Sequence, residues 1–274
     1  MTDRVKPIFV VPLPLFDITS PNEAPGYAGA NVGRFKAAGV VYRSSGAGSV
    51  TLRGNFGGSG TVEPDIDFVA LLGTNATAAT TARLKLGSTP SETTSNPAYD
   101  SLPQLIRSPA PAAEREDGLS HWHFPLPSLQ AAGPNNRFWE IAITNHTGDF
   151  EASMLVIGKR VQSGRFYNQG EQFGAQDLGS LEIGNWGVLE DTGGKVVPTI
   201  DFTLAWETEA KFETEFRPIM QRGQREMLYC CFDPADTAYR QARTVFGVLR
   251  RPLVATGARK PGVYSQDFSI TSLI

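Results

Sequence analysis

The run D-F-V-A-L-L at residues 67–72, followed by G-T-N at residues 73–75, decides the fold of this 274-residue chain. Its last five residues are all apolar, and a continuous apolar run is typical of a strand that is covered on both faces. Glycine and asparagine then supply turn chemistry, because they accept the backbone angles that tight turns need. The sequence therefore predicts a buried strand that ends at a turn.

Several other short strand patterns surround this run and are separated by glycine clusters. Residues 138–145 alternate clearly, which places Trp139, Ile141 and Ile143 on one face, the core face of the strand. The composition agrees, since 28 glycines and 19 prolines are more than helix-dominated chains usually contain. The pattern is that of a β-sandwich or barrel. Further strands of this first part are predicted at residues 40–43, 49–53, 82–86 and 153–161.

Two segments of the first part are expected to lie outside the central strands. Residues 5–16 form an extended leader in which Pro7, Pro12 and Pro14 favour an edge strand, because proline cannot donate a backbone hydrogen bond. The leader is too short and too interrupted for a signal peptide or a membrane span, so we expect no membrane contact and folding in a cytoplasm. Residues 88–134, crowded with proline, serine and charge, are predicted to form a long functional or partner-ordered loop.

A change of composition near residues 158–174 marks the predicted domain boundary, because this stretch has too little apolar content for a core. The predicted fold class is mostly β. A β-sandwich in residues 1–162 is followed by a small α+β domain with one helix in residues 163–274.

The predicted helix of the second part spans residues 207–222. Phe212, Phe216, Ile219 and Met220 share one face of it. Gly223 follows as a C-cap glycine. Strands are predicted around the helix at residues 181–187, 199–206, 227–232, 244–250 and 264–272.

No arrangement of residues in the sequence defines a catalytic site. His121 and His123 are two apart on a predicted strand and could face one metal ion, but the sequence offers no further ligands at a suitable spacing. A partly exposed aromatic strand is the alternative. The acidic E-P-D-I-D at residues 63–67 could take calcium or could be a solvated strand entry. We expect no enzyme activity, no cofactor and no bound metal.

Charge and cysteine content bear on further classes of protein. A formal net charge of -3 gives no general attraction to phosphates, so we expect no specific nucleic-acid partner. The two cysteines, Cys230 and Cys231, are adjacent, and consecutive strand residues point to opposite faces. A disulfide between them would be strained. We predict that both are apolar strand residues.

The segment at residues 217–253 joins many basic residues to an apolar strand, which indicates a surface that meets another macromolecule. A ring built from identical subunits needs two different complementary patches on each of them. An acidic group on the predicted helix could face a basic group of a neighbouring copy, and a solvated face is the alternative. The candidate subunit-interface residues are Glu207, Glu209, Glu213, Glu215, Arg240, Arg243, Arg250 and Arg251.

The chain resembles two parts of phage tail proteins. D-F-V-A-L-L-G-T-N-A-T (67–77), R-F-W-E-I-A-I-T-N (137–145) and L-V-I-G-K (155–159) look like the discoidin-like jelly rolls of such proteins. S-G-R-F-Y-N-Q-G, F-T-L-A-W, C-C-F-D-P and T-V-F-G-V-L, within residues 163–249, resemble the tail-tube-related part of distal tail and baseplate proteins of long-tailed phages, the siphoviruses. The resemblance implies a jelly-roll sandwich that precedes a tail-tube-like, ring-forming domain, whereas many distal tail proteins have the opposite order.

The function that this resemblance implies is a structural one. A distal tail protein forms a ring with itself, commonly a hexamer, which joins the tail tube protein to hub, baseplate or fibre proteins. It is made in the host cytoplasm, is located at the tail tip of the virion, and has no catalytic residues.

Two other functions remain open from the residues. A carbohydrate-binding module for host surface glycans would use Trp122 and the loops near Asn75 and Asn145. A hydrolase would use His121 and His123.

Overall fold

The computed structural model describes residues 6–46, 48–57, 64–107, 118–130, 134–164, 167, 170–183, 189–235, 238–257 and 261–274. The structure is mostly β, with 48% of residues in strands and 13% in helices, so the predicted fold class is confirmed.

The described strands, in chain order, are β1 (Ile8–Val10), β2 (Phe16–Thr19), β3 (Tyr42–Arg43), β4 (Val50–Asn55), β5 (Ile66–Thr74), β6 (Thr81–Gly87), β7 (Tyr99–Asp100), β8 (Gln104–Leu105), β9 (Ser120–Gln130), β10 (Phe138–Thr144), β11 (Glu151–Ala152), β12 (Met154–Gly158), β13 (Arg160–Gln162), β14 (Gln172–Asp177), β15 (Ser180–Ile183), β16 (Leu189–Thr192), β17 (Val196–Thr208), β18 (Leu228–Cys231), β19 (Thr244–Leu249), β20 (Ala255–Gly257) and β21 (Val263–Ser272). The helices are α1 (Pro90–Ser95), α2 (Glu209–Lys211) and α3 (Arg217–Arg222). A π-helical turn at Phe212–Phe216 joins α2 to α3, and short 3-10 turns lie at Gly29–Gly33, Pro134–Asn136 and Gly223–Arg225.

Three sheets and the helical segment stack as successive layers. The outer sheet has the strand order β2-β4-β10-β6-β7, with β8 also paired to β6. The middle sheet has the order β12-β5-β9. The large sheet has the order β13-β1-β18-β19-β21-β17-β14, with β20 paired to β21. The helical segment at residues 209–222 covers the far face of the large sheet.

The middle sheet is buried on both faces, as the continuous apolar run predicts. Val69 and Leu71 of β5 lie in one core with apolar residues of the outer sheet. Phe68 and Leu72 point the other way, into a second core shared with the large sheet. Successive strand residues alternate between faces, so both faces need apolar side chains when both are covered. The prediction of a strand covered on both sides is confirmed.

The large sheet is also covered on both faces where it lies over the middle sheet. Cys231 belongs to the core between these two sheets, whereas Cys230 faces the helical segment. Both thiols are free and buried, and burial raises the pKa of Cys231 to about 11. The two cysteines are therefore apolar strand residues on opposite faces, as predicted.

The first strand lies inside the large sheet, so the prediction of an edge strand is wrong. β1 pairs with β13 on one side and with β18 on the other. Pro7 and Pro12 flank the strand but residues 8–10 contain no proline, so these three residues can hydrogen-bond on both sides. β1 and β13 both come from the predicted first domain, 1–162, yet pair within the sheet formed mainly by residues 163–274. The division into two domains stays a prediction.

The predicted loop at residues 88–134 contains the edge strand of the middle sheet. β9 pairs with β5, and its Pro125 lies opposite Phe68. Proline is tolerated here because the other side of β9 pairs with no described strand. The prediction of a continuous loop is therefore wrong for residues 120–130, which form an edge strand.

The predicted helix is confirmed in its main features. Thr208 caps it, since its hydroxyl accepts from Lys211 N at 3.4 Å, and Gly223 ends it with φ 69°. Phe212, Phe216 and Ile219 are buried against the large sheet.

Phe68→Ala is expected to lower the free energy of unfolding by about 3–5 kcal/mol, because it opens a cavity between two layers. Urea unfolding followed by tryptophan fluorescence and by far-UV circular dichroism should show one common transition, which moves to a lower urea concentration in the variant. The exposed Leu105→Ala serves as a control and should change the value by less than about 0.5 kcal/mol. Two separate transitions, with one unaffected by Phe68→Ala, would contradict a single cooperative stack.

Candidate subunit interface

The two histidines of β9 are buried and bound to neighbouring groups, not placed side by side in an open site. Gly73 N donates to His121 Nδ1 at 3.0 Å. The Gln241 side chain pairs with the backbone of His121, accepting from its N at 2.6 Å and donating to its O at 2.9 Å. His121 therefore ties the loop before β19 to the middle sheet.

His123 is a buried neutral imidazole between the middle and large sheets. Its Nδ1 lies 2.7 Å from the Tyr229 hydroxyl. Burial, reinforced by the positive charges of Arg240 and Arg160, lowers the pKa of His123 to about 3. Burial likewise raises the pKa of Tyr229. An imidazole held neutral in this way contributes to packing, which favours the structural interpretation over the hydrolase.

The described residues contain no group of three or more His, Cys, Asp or Glu side chains that could hold a metal ion. Two carboxylates of the acidic stretch at residues 63–67 are engaged in ion pairs. Asp65 pairs with Lys159 at 3.0 Å, and Asp67 pairs with Arg160 at 3.1 Å. Glu63 lies outside the described residues. These pairs explain Asp65 and Asp67 without calcium.

The structure contradicts the assignment of Trp122 as a glycan contact. Its indole is 1% exposed, belongs to the core between the outer and middle sheets, and stacks on Phe124 at 5.7 Å. Asn75 is half-buried and binds the backbone, donating to Asp149 O and accepting from Glu151 N, both at 2.8 Å. Asn145 is exposed on a turn. The three side chains therefore do not form an exposed aromatic site.

The acidic group predicted for the interface is largely satisfied within the subunit. Glu207 is 1% exposed and accepts hydrogen bonds from Ser163 Oγ and Gly164 N, so its assignment to an exposed interface is wrong. A β-bulge between Leu204 and Glu207 turns this carboxylate inward. The remaining three glutamates lie on the helical segment; Glu213 pairs with Arg217, Glu215 pairs with Lys211 at 3.7 Å, and Glu209 is exposed.

The basic group divides into two parts. Arg243 pairs with Asp233 at 3.2 Å, and Arg240 Nη1 donates to Pro234 O at 3.5 Å, so both hold the loop before β19. Arg250 and Arg251 share one carboxylate, that of Asp201, at 3.5 and 3.7 Å. Two guanidinium groups on one aspartate leave a local excess of positive charge on an exposed surface. These two arginines remain available for an interface.

An exposed β-hairpin is the feature that the sequence did not reveal. Its strands are β14 and the start of β17, paired from Gln172 opposite Asp201 to Asp177 opposite Val196. Leu178 N then donates to Lys195 O at 3.1 Å, and β15 pairs with β16 beyond it. We call residues 172–183 and 189–198 the arm.

Strand β14 of the arm buries little of its own surface. All six residues of β14 are exposed, and β14 is the last strand of the large sheet, so one of its edges is free of any described strand. Leu178 and Val196 are more than half exposed. The outer edge carries one charged residue, Asp177, and neither lysine nor proline, which commonly protect exposed edges. The arm therefore offers backbone groups and apolar side chains to another chain.

An aromatic and arginine patch lies at the base of the arm. The Arg243 guanidinium is 5.5 Å from the Phe173 ring centroid and 5.2 Å from that of Tyr239, and both rings are about half exposed. Tyrosine, arginine and phenylalanine are enriched at protein interfaces. The patch extends the available surface from the arm onto the loop before β19.

Comparison with known proteins places the chain in no family. No protein-family model matches it, and no curated protein is significantly similar to it in sequence. Among the described residues, no helix combines the length and the apolar character that crossing a membrane requires.

The buried state of His123 predicts an acid-dependent loss of stability. Its pKa is about 3 in the folded chain and about 6.5 when unfolded, so the unfolded state binds more protons between these values. Stability from this group is complete above pH 6.5 and falls as the pH drops toward 3, by up to about 1.4 kcal/mol per pH unit. His123→Asn should show a shallower dependence of the free energy of unfolding on pH in this window, and an unchanged slope would refute the assignment.

Proposed function

We propose that this protein is a structural subunit of a phage tail tip, which forms a ring and joins the tail tube to hub, baseplate or fibre proteins. The single observation that carries the proposal is the exposed arm with its open strand edge. The resemblance of residues 163–249 to the tail-tube-related part of distal tail proteins gives that arm its biological setting.

The arm supports assembly on energetic grounds. Holding the backbone of one residue in a single conformation costs about 1–2 kcal/mol. Core residues recover this cost by burial, but β14 has all its side chains exposed within one subunit. A neighbouring subunit that covers the arm would supply the missing burial and would pair with its open edge.

The two ends of the large sheet favour a ring over a simple pair. One end is β14, and the other is β13, whose three residues are half-buried. A contact between two unlike surfaces leaves one of each free, so it repeats from copy to copy and closes when the rotation allows. Arg250 and Arg251, which pair with Asp201 opposite Gln172, add a charged patch beside the base of the arm.

In this proposal the subunit acts by binding and carries no catalytic residue. Its partners are further copies of itself, the tail tube protein, and hub or fibre proteins, and its location is the virion. The burial of Trp122 removes the aromatic side chain on which the carbohydrate-binding alternative depends.

Leu178→Lys combined with Val196→Lys should abolish self-assembly while the subunit stays folded. Both side chains are more than half exposed, so lysine costs the monomer little, but it removes apolar surface from the arm and adds charge. Native mass spectrometry and light scattering would measure the oligomer, and circular dichroism would measure folding.

The matched control replaces two comparably exposed leucines away from the arm, Leu105→Lys with Leu129→Lys. This control should assemble like the wild type. A wild-type chain that stays monomeric at high concentration, or an arm variant that assembles normally, would overturn the role of the arm.

Arg250→Glu combined with Arg251→Glu should weaken assembly, and the effect should depend on salt because dissolved ions screen the interactions between exposed charges. The expected loss is modest, since exposed ion pairs contribute about 0–1 kcal/mol each. Sedimentation at low and high salt would measure it, with Arg34→Glu plus Lys36→Glu as the control for net charge. Equal assembly of both variants at low salt would exclude the arginine patch from the interface.

A further inference from the structure

Part of the large sheet has a face that the middle sheet does not cover. The core between these two sheets takes residues from β1, β18 and β19 but none from β17, β20 or β21. The helical segment covers the other face of these three strands, where Ile200 and Phe268 are buried. On the uncovered face, the exposed Asp267 accepts from Thr203 Oγ1 at 2.5 Å. We call the surface formed by Asp201, Thr203, Trp206, Val254, Thr256 and Asp267 the open face.

Trp206 is presented on the open face by an unusual backbone. Its φ is 64°, a left-handed value that is a genuine outlier for a bulky residue. It lies in the bulge between Leu204 and Glu207 of β17. Glu207 lies opposite Tyr264, which packs on the helical side, so the residue before Glu207 points to the other side. Bulges often redirect a side chain at a functional site, and here the indole is left 49% exposed.

The open face has an apolar end and a basic end. Val254, next to β20, is 62% exposed and adds a second apolar side chain to that of Trp206. At the other end, the partly exposed Arg250 and Arg251 share the carboxylate of Asp201. Strand residues are spaced about 3.3 Å apart, so the two ends are separated by roughly 15 Å along β17. A hairpin laid across the face could contact both ends.

The arm of another copy is complementary to both ends. Leu178 and Val196 are apolar side chains that are more than half exposed. The arm also contains four acidic residues and one lysine, and the side chain of its Asp177 is exposed. Apolar contact at one end and opposite charge at the other give the arm a defined orientation on the open face.

The arm cannot cover the open face of its own subunit. β14 pairs with β17 as far as Val196, which precedes Trp206 by ten residues, a distance of about 33 Å along an extended strand. The arm continues the large sheet beyond this end of β17, so its tip points away from Trp206. A contact between the arm and the open face must therefore join two copies through unlike surfaces.

We propose that the open face is the docking surface for the arm of the neighbouring copy, an inference that rests on the proposed ring and names the surface that receives the arm. Leu178 and Val196 of one copy pack against Trp206 of the next. The acidic residues of the arm face the two arginines at the basic end. Each copy gives one arm and receives one, and the left-handed backbone at Trp206 holds the indole toward the incoming arm.

Trp206→Gly in the full chain tests this surface. Glycine adopts a φ of 64° without strain, so the urea midpoint of unfolding should stay the same or rise. Self-association measured by sedimentation should weaken at least about tenfold, one decade in Kd. A tryptophan with only a packing role would instead lower the urea midpoint.

Leu102→Gly is the matched control. Leu102 is also exposed and left-handed, with φ 59°, but it lies between β7 and β8 of the outer sheet. This variant should assemble like the wild type.

Cross-linking locates the contact. A chain with Ser180→Cys in the arm is co-expressed with a chain that carries Thr256→Cys on the open face, and both positions are exposed. The native Cys230 and Cys231 are buried, so a bis-maleimide should react with the introduced thiols. We expect a dimer linked from position 180 to position 256, identified by mass spectrometry of its peptides. Adding Trp206→Gly to the second chain should abolish this product, whereas adding the control substitution should not.

The outcomes separate this inference from the proposed function. If the wild type assembles but Trp206→Gly assembles equally well, or the link from 180 to 256 does not form, the arm docks elsewhere and the inference is wrong while the ring stands. A wild-type chain that stays monomeric at high concentration would overturn both.

Discussion

The double-sided burial of the middle sheet is the constraint on which the rest of the structure depends. Strand β5 presents Val69 and Leu71 to one core and Phe68 and Leu72 to another. In the same way, β12 presents Leu155 to the first core and Val156 to the second. Neither the outer sheet nor the large sheet could cover its own apolar face without this layer. A polar substitution at any of these positions would bury an unpaired polar group in one of the two cores, because neither face of the layer meets water.

This constraint also decides where function can lie. Side chains between the layers are committed to packing, and that includes residues that look chemical in the sequence, such as His123 and Trp122. The surfaces left for binding are those beyond the stack. The arm, at the end of the large sheet, is such a surface.

The sequence predicts features that one segment determines by itself. The run at residues 67–72 required cover on both faces, and the adjacent cysteines had to point apart.

Features that depend on distant segments were missed. The leader was assigned to an edge because its prolines were visible, whereas its pairing with residues 160–162 and 229–231 was not. Glu207 was read as part of an exposed acidic face, but the bulge before it turns its carboxylate toward Ser163 and Gly164. The arm is polar and glycine-rich and carries no strong strand pattern, so pairing with β17 is what reveals it.

The distribution of ion pairs sets which force would hold an assembly together. Most of the predicted interface charges already have partners in the same chain, as with Glu213 and Arg217 or Arg243 and Asp233. A neighbouring subunit would therefore have to compete with these partners, and exposed pairs contribute only about 0–1 kcal/mol in any case. Backbone groups on the open edge of β14 face no such competitor within the described chain. Added strand pairing, together with burial of Leu178 and Val196, is thus the stronger source of affinity, and charge would serve mainly to orient the approaching copies.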